Sequence, residues 1–195
     1  MFFTCLNHNQ DAFAILLSAQ CGAVELLGIS TVFGNAPLSE TTRNTRAILK
    51  AIKREDVPVY PGASKPFCRA PASAPDIHGE SGLDGTTCLP VPTVPAIEDE
   101  PAIIAMQKAL KKQPPKTAWI VAVGALTNVA LLFATFPDLA EHVAGISIMG
   151  GAVGGGFTSA PMGKVEGEGE RVGNWSRWAG MCAPEPKKML WCLIK

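Results

Sequence analysis

The sequence predicts an α/β protein with a mainly parallel, Rossmann-like open sheet and helices on both faces. Apolar, β-branched runs near residues 4, 28, 59, 120 and 146 alternate with helical patterns. Short strands separated by helical segments are typical of βαβ units, whose crossover connections make the strands parallel. The chain has 195 residues, of which 47% are hydrophobic and 17% charged, and this suits one compact domain.

Charge and cysteine usage exclude several classes of partner. Lys plus Arg and Asp plus Glu both number 17 without a basic run, so we expect neither a nucleic-acid nor a membrane partner. The six cysteines lack CxxC or zinc-like spacing and are typical of reduced thiols. The N-terminus has no signal-peptide pattern, and no apolar run is long enough to span a bilayer. We therefore expect a soluble, cytoplasmic protein.

A polar turn separates the first predicted strand, residues 2–6, from a helical pattern over residues 10–21. Asp11 lies at the start of this helix, where the macrodipole stabilises a carboxylate by about 0.3–1 kcal/mol. A helix-start acid and a ligand-binding acid are equally consistent with this position. One predicted face of the helix carries Ala12, Ile15, Leu16 and Ala19.

The stretch Val24–Lys50 predicts a buried strand, a tight turn at Gly34-Asn35, and a helix after Pro37 with Ser39 as its N-cap. In an open α/β sheet, ligands bind beyond the carboxyl ends of the strands, so Asn35 is a candidate ligand contact. The alternative is turn chemistry alone, because Gly and Asn both tolerate positive φ.

The rest of the α/β pattern follows the same order. A short strand near residue 59 precedes a long Pro- and Gly-rich connection over residues 61–95, which contains His78. A connection of this length is usually functional, whereas a lone loop histidine is more often a surface residue. The further predicted elements are a helix over 97–112, a strand over 117–123 covered by helices on both faces, helices over 129–135 and 138–142, and a strand over 143–149.

From Gly154 the sequence becomes glycine-rich and loses its periodicity. We expect residues 1–156 to form the α/β domain. Residues 157–195 are expected to be a poorly ordered insertion and tail.

Five stretches follow one another along the chain: QDAFAILL, VPVYPGASKP, PDIHGESGLDG, VAVGALTNVALL and ISIMGGAVGGG. Their order and spacing resemble those of the inosine-uridine preferring nucleoside hydrolases, in particular fungal-type members. Several motifs in one order are more specific than any one alone. The resemblance covers residues 10 to about 156 and implies an α/β hydrolase that cleaves the N-glycosidic bond of a ribonucleoside to ribose and free base with a calcium-activated water.

The resemblance also implies roles for individual residues. Asp11 matches a calcium ligand and is a candidate catalytic base, and the backbone carbonyl of Val123 matches a second calcium ligand. The residues that match nucleoside contacts are Asn35, His78, Met149 and Asn174. For Met149, core packing is the alternative, because Met commonly fills gaps in cores.

The chain departs from the family pattern at several ligand positions. Gln10 stands where the first of two paired aspartates is expected, and Leu6 where the leading aspartate is expected. Residues 179–182 read Ala-Gly-Met-Cys instead of Ala-Glu-Phe-Asn. Calcium takes about six to eight oxygen ligands, mostly carboxylates for charge. We therefore expect a member of the family that is truncated and divergent at both ends, and impaired in turnover.

Two other functions stay open from the sequence alone. One is a non-catalytic nucleoside- or ribose-binding module. The other is an α/β remnant whose uncovered apolar surface makes it self-associate as a homo-oligomer.

Overall fold

The computed structural model describes residues 1–5, 9–67, 78–83 and 86–149, and beyond these the strands at 161–165, 169–172 and 191–194. The elements are β1 (Phe2–Cys5), α1 (Asn9–Gln20), β2 (Gly28–Thr31), α2 (Leu38–Ala51), β3 (Val59–Pro61), α3 (Ala102–Lys111), β4 (Trp119–Ala122), α4 (Thr127–Thr135), α5 (Leu139–His142), β5 (Gly145–Met149), β6 (Pro161–Val165), β7 (Gly169–Val172) and β8 (Trp191–Ile194).

Five strands form a parallel sheet in the order β3-β2-β1-β4-β5, and β8 adds to β5 in the antiparallel direction. The central strand β1 is in register with both neighbours, since Phe3 lies opposite Ile29 on one side and Val121 on the other. Strands β6 and β7 form a separate antiparallel pair. The predicted α/β class with a mainly parallel sheet is confirmed.

Two apolar cores lie on opposite faces of the sheet. The first contains Phe2 and Ile120 from the strands together with Met106 and Leu110 of α3 and Leu132 of α4. The second contains side chains from β1, β2 and β3 packed with residues of α1 and α2: Phe3, Ile15, Ile29, Ile48, Leu49 and Val59. Helices therefore cover both faces of the sheet.

The prediction that helices cover both faces of β4 is wrong in detail. Ile120 and Ala122 are fully buried, whereas Trp119 and Val121 are half-buried. The buried pair faces the core made with α3 and α4, and Val121 is only partly buried against the other core. The reason is topological, because α1 and α2 pack mainly over β1, β2 and β3.

The predicted buried face of α1 is only partly correct. Ile15 and Ala19 are buried, but Leu16 is 39% exposed, and Phe13 and Leu17 are 71% and 70% exposed. Because α1 is apolar on several sides, its sequence pattern does not select the side that faces the sheet.

Helix α2 begins one residue before the predicted N-cap. Leu38 is its first residue and Pro37 occupies the N-cap position, so Ser39 lies inside the first turn. Pro37 makes no side-chain capping hydrogen bond. Its ring instead fixes φ near the observed value of −58°, which suits the start of a helix. The hydroxyl of Thr42 instead donates to the Leu38 carbonyl at 2.7 Å.

A charged cluster joins the end of α2 to the loop that precedes α3. The Glu55 carboxylate accepts a salt bridge from Lys50 at 2.9 Å, and hydrogen bonds from the backbone N–H and hydroxyl of Thr93 at 2.8–2.9 Å. Arg46 donates to the Val94 carbonyl at 2.8 Å. The hydrogen bond from Lys50 is the main cause that lowers the pKa of Glu55 from 4.5 to about 2.

We predict that this carboxylate makes the stability of the fold sensitive to acid. Since the folded pKa of Glu55 is below its unfolded value, the stabilisation is fully present above about pH 5 and is lost as the pH falls toward about 2. Urea unfolding across that range should show a steeper loss of stability for the wild type than for Glu55→Gln. The exposed Glu98→Gln variant is the control and should follow the wild type, and parallel curves for Glu55→Gln and wild type would contradict the prediction.

Within the described residues, no helix is both long and apolar enough to cross a bilayer. Strands β6, β7 and β8 lie in the stretch predicted to be a poorly ordered tail, and the boundary between residues 156 and 157 stays a prediction.

Candidate functional site

The parallel order of the strands brings four of the candidate residues to one edge of the sheet. Asn35 follows β2, Asp11 lies in the first turn of the helix after β1, Val123 follows β4, and Met149 ends β5. These strands are neighbours in the order β2-β1-β4-β5. In open α/β sheets this carboxyl edge is where ligands bind.

The Asn35 side chain is buried at this edge. Its exposed fraction is 5%, and its Nδ2 amide has no hydrogen-bond partner within the described residues. A buried donor without a partner costs about 1–3 kcal/mol. Neither Gly34 nor Asn35 has positive φ, so tolerance of that conformation does not explain why an asparagine stands here. A hydroxyl oxygen of a ligand could accept from this amide.

The Asp11 carboxylate is also buried, with an exposed fraction of 1%. Burial of a carboxylate is costly unless hydrogen bonds or charges compensate, and such groups occur often in binding sites. A helix-start acid that interacts only with the macrodipole would more often lie on the surface.

The described residues do not fit a tight calcium site. Asp11 supplies one carboxylate and Val123 one backbone carbonyl at this edge. Calcium takes about six to eight oxygen ligands. Within the described ranges there is no group of three or more His, Cys, Asp or Glu residues that could hold a metal ion.

The segment 78–83 is attached to α2. The buried Asn44 side chain donates to the Ser81 carbonyl at 2.6 Å, and Leu83 is buried. Gly79 and Gly82 have φ of 70° and 81°, which favour glycine. The half-buried His78 begins this anchored segment, so its position is determined through α2 rather than by the long loop alone.

Met149 is half-buried and packs against the core made with α1 and α2. The core-packing and ribose-contact interpretations of this residue therefore both stay open. Asn174, the remaining candidate nucleoside contact, lies outside the described residues, as do Leu6 and residues 179–182.

Asn128 connects the ends of β2 and β3 to the start of α4, a role that the sequence did not indicate. Its side chain is buried in the first turn of α4, donates to the Thr31 carbonyl at 2.9 Å and accepts from the Ala63 N–H at 2.9 Å. From the sequence alone, its place just before the predicted helix 129–135 indicates only a helix-start residue. Its partners lie 97 and 65 residues away in the chain, and no local pattern reports such contacts.

Gly62 provides the space that the Asn128 amide occupies. A Cβ atom at Gly62 would overlap this amide, with Oδ1 at 2.5 Å and Cγ at 2.6 Å. We predict that Gly62→Ala lowers the free energy of unfolding by about 1–3 kcal/mol, as overpacking does. Urea unfolding tests this, with Gly22→Ala as the matched control because no atom lies within 4 Å of a Cβ built there. Equal stability of the two variants would refute the role of Gly62.

Two cavities among the described residues lie away from the carboxyl edge. One, of about 170 Å³, is between α2 and the residues that lead into β3, and is lined by Arg46, Glu55 and Val57. The other, of about 520 Å³, is lined by Met1 and Thr117 near the amino ends of the strands. Neither cavity contains a candidate site residue.

Comparison with known proteins places the chain in a family. Residues 7–181 match the family model described as inosine-uridine preferring nucleoside hydrolase. A uridine nucleosidase of Saccharomyces cerevisiae is 46% identical over 156 residues, which are 80% of this chain and 46% of that protein. A pyrimidine-specific ribonucleoside hydrolase of Salmonella arizonae is 40% identical over 157 residues, which are 80% of this chain and 50% of that protein.

A solved structure supports the same assignment. The purine-preferring ribonucleoside hydrolase from Gardnerella vaginalis superposes with a TM-score of 0.72 at 27% sequence identity, over 78% of this chain and 48% of that one. The chain thus spans about half the length of the relatives it matches. The family-model match over most of its residues shows that the chain belongs to the inosine-uridine preferring nucleoside hydrolase family.

Proposed function

We propose that this chain binds a ribonucleoside at the carboxyl edge of its sheet. The reaction that we propose for this site is hydrolysis of the N-glycosidic bond to ribose and free base. The observation that carries the proposal is the buried Asn35 amide, whose Nδ2 has no acceptor within the described residues. A ribose hydroxyl would supply that acceptor. The names of the relatives, a uridine nucleosidase and a pyrimidine-specific hydrolase, favour uridine as the substrate to test.

Hydrolysis of this bond moves the ribosyl C1′ from a base nitrogen to a water oxygen. The water must lose a proton, and the departing base must gain one or carry the charge. Asp11 is the described carboxylate that we place at the carboxyl edge, and it is our candidate for accepting the water proton.

We further propose that the chain is impaired in turnover. The described residues supply one carboxylate and one carbonyl toward the calcium ion that the family implies, and these two groups alone would bind the ion weakly. Loss of one group that stabilises a transition state commonly costs on the order of a hundredfold in rate. The proposed location is the cytoplasm, where cysteines outside disulfides, as Cys21 and Cys88 are, are the usual case.

We predict that the purified chain binds uridine but releases ribose slowly, and that calcium changes neither result strongly. Calorimetry with uridine measures binding, and a reducing-sugar assay with and without calcium measures hydrolysis. Asp11→Asn should abolish the residual hydrolysis and leave uridine binding within about tenfold, because an amide keeps the shape but does not accept the proton. Tight calcium binding with rapid ribose release would overturn the impairment.

Non-catalytic nucleoside binding is the second candidate, and the single described carboxylate at the edge favours it. This function needs a formed ribose contact but no proton transfer. It predicts that uridine raises the melting temperature equally with and without a chelator, and that Asp11→Asn has no residual hydrolysis to remove.

A further inference from the structure

We propose that Asn128 is a positioning residue for the nucleoside site, and that its side-chain amide fixes the orientation of the loop that carries Asn35. The inference rests on the proposed function for the role of Asn35. Asn128 itself has no proposed contact with the nucleoside and would act only through the loop of Asn35. Its basis is a set of hydrogen bonds that connect the ends of β2 and β3 to the start of α4.

The Asn128 amide continues the sheet where two strands end. The Thr31 carbonyl accepts from the Gly62 N–H at 3.0 Å and from Asn128 Nδ2 at 2.9 Å. The Ala63 N–H donates to Asn128 Oδ1 at 2.9 Å, and the Ala63 carbonyl accepts from the Phe33 N–H at 3.0 Å. The side-chain amide therefore serves as a peptide group between the two chain segments.

This bonding reaches the loop of Asn35 through Phe33. Phe33 and Val32 are buried with Ala125 in a small apolar cluster, against which Ala63 packs. Asn35 is two residues beyond Phe33, so the Ala63 to Phe33 hydrogen bond and this cluster hold the chain just before it. Ala125 belongs to the turn after β4, and the same contacts therefore link the β2 and β4 sides of the edge.

The chemistry of the site requires an amide. Oδ1 must accept from a backbone N–H while Nδ2 donates to a backbone carbonyl, and asparagine offers both groups at once. A carboxylate would accept from Ala63 but would place a second acceptor against the Thr31 carbonyl. In a side chain with 1% exposure, water does not compensate for that loss.

Asn128→Asp in the full chain tests the proposal, with a pH series as the readout. At neutral pH we expect the nuclear magnetic resonance signals of the Ala63 amide and the Asn35 side-chain amide to shift, and uridine to bind about tenfold more weakly or worse. Acidification protonates the new carboxyl, which can then donate to Thr31. The wild-type signals and uridine affinity should return, a recovery that a general loss of stability would not produce.

The control is Gln107→Glu on α3, which makes the same change of charge away from the strand ends. It should leave the Asn35 signal and its pH dependence as in the wild type. If Asn128→Asp does not fold at neutral pH, Gly62→Ala displaces the same amide without adding charge and should shift the same two signals.

The outcomes separate the two proposals. Unchanged Asn35 and Ala63 signals in Asn128→Asp or Gly62→Ala would overturn the positioning role, whether or not uridine binds. Shifted signals that recover in acid, in a chain whose wild type shows no response to uridine, would support the positioning role and overturn the proposed function.

Discussion

Replacement of Asn35 by alanine is expected to weaken uridine binding by about tenfold to a hundredfold while the fold keeps its stability. A hydrogen bond to a ligand hydroxyl from a buried amide accounts for that loss. The same amide has no acceptor for Nδ2 within the described residues, so its removal should leave the free energy of unfolding within about 1 kcal/mol of the wild type. Calorimetric titration with uridine and urea unfolding measure the two quantities.

Asn44 provides the matched control for this variant. It is likewise buried, with an exposed fraction of 3% against 5% for Asn35, but its Nδ2 donates to the Ser81 carbonyl. Asn44→Ala should therefore destabilise the fold by about 1–3 kcal/mol, because Ser81 loses its buried donor. If Asn35→Ala destabilises the chain as much as Asn44→Ala and leaves uridine affinity unchanged, Asn35 is a structural residue and the proposed ribose contact is wrong.

The largest expected loss of stability comes from Phe2→Ala. Phe2 is the fully buried first residue of β1, and its ring stacks on Tyr60 with 6.3 Å between ring centroids. Its backbone pairs with both Gly28 and Ile120, and its side chain belongs to the core that the sheet forms with α3 and α4, so the cavity would open between the sheet and these helices. Removal of a buried phenylalanine side chain costs about 3–5 kcal/mol, a large part of the stability of a domain.

Phe13→Ala is the control for the same chemical change. Phe13 is 71% exposed on α1, and its truncation should change the free energy of unfolding by no more than about 0.5 kcal/mol. Urea unfolding of both variants against the wild type gives the comparison. Similar losses for the two variants would mean that α1 is covered in solution and that the exposed side of this helix is an interface.

The sequence determined the class of fold and the order of its strands along the chain. Apolar β-branched runs and helical periodicity are local properties, and they located β1 to β5 to within a few residues. The carboxyl-edge position of Asn35 followed from the same reasoning, since it comes after a predicted strand. Asp11 and Val123 were candidate site residues through the family resemblance.

Only the tertiary structure decided which of these residues are buried and what they contact. The side of α1 that faces the sheet, and the half-covered face of β4, depend on how the helices pack. Asn128 was not found from sequence, because its partners, Thr31 and Ala63, are distant in the chain and close only after β2, β3 and β4 have assembled. A local sequence pattern depends on the hydrophobic periodicity and secondary-structure propensity of one segment. Burial and long-range hydrogen bonds arise only when the segments pack against one another.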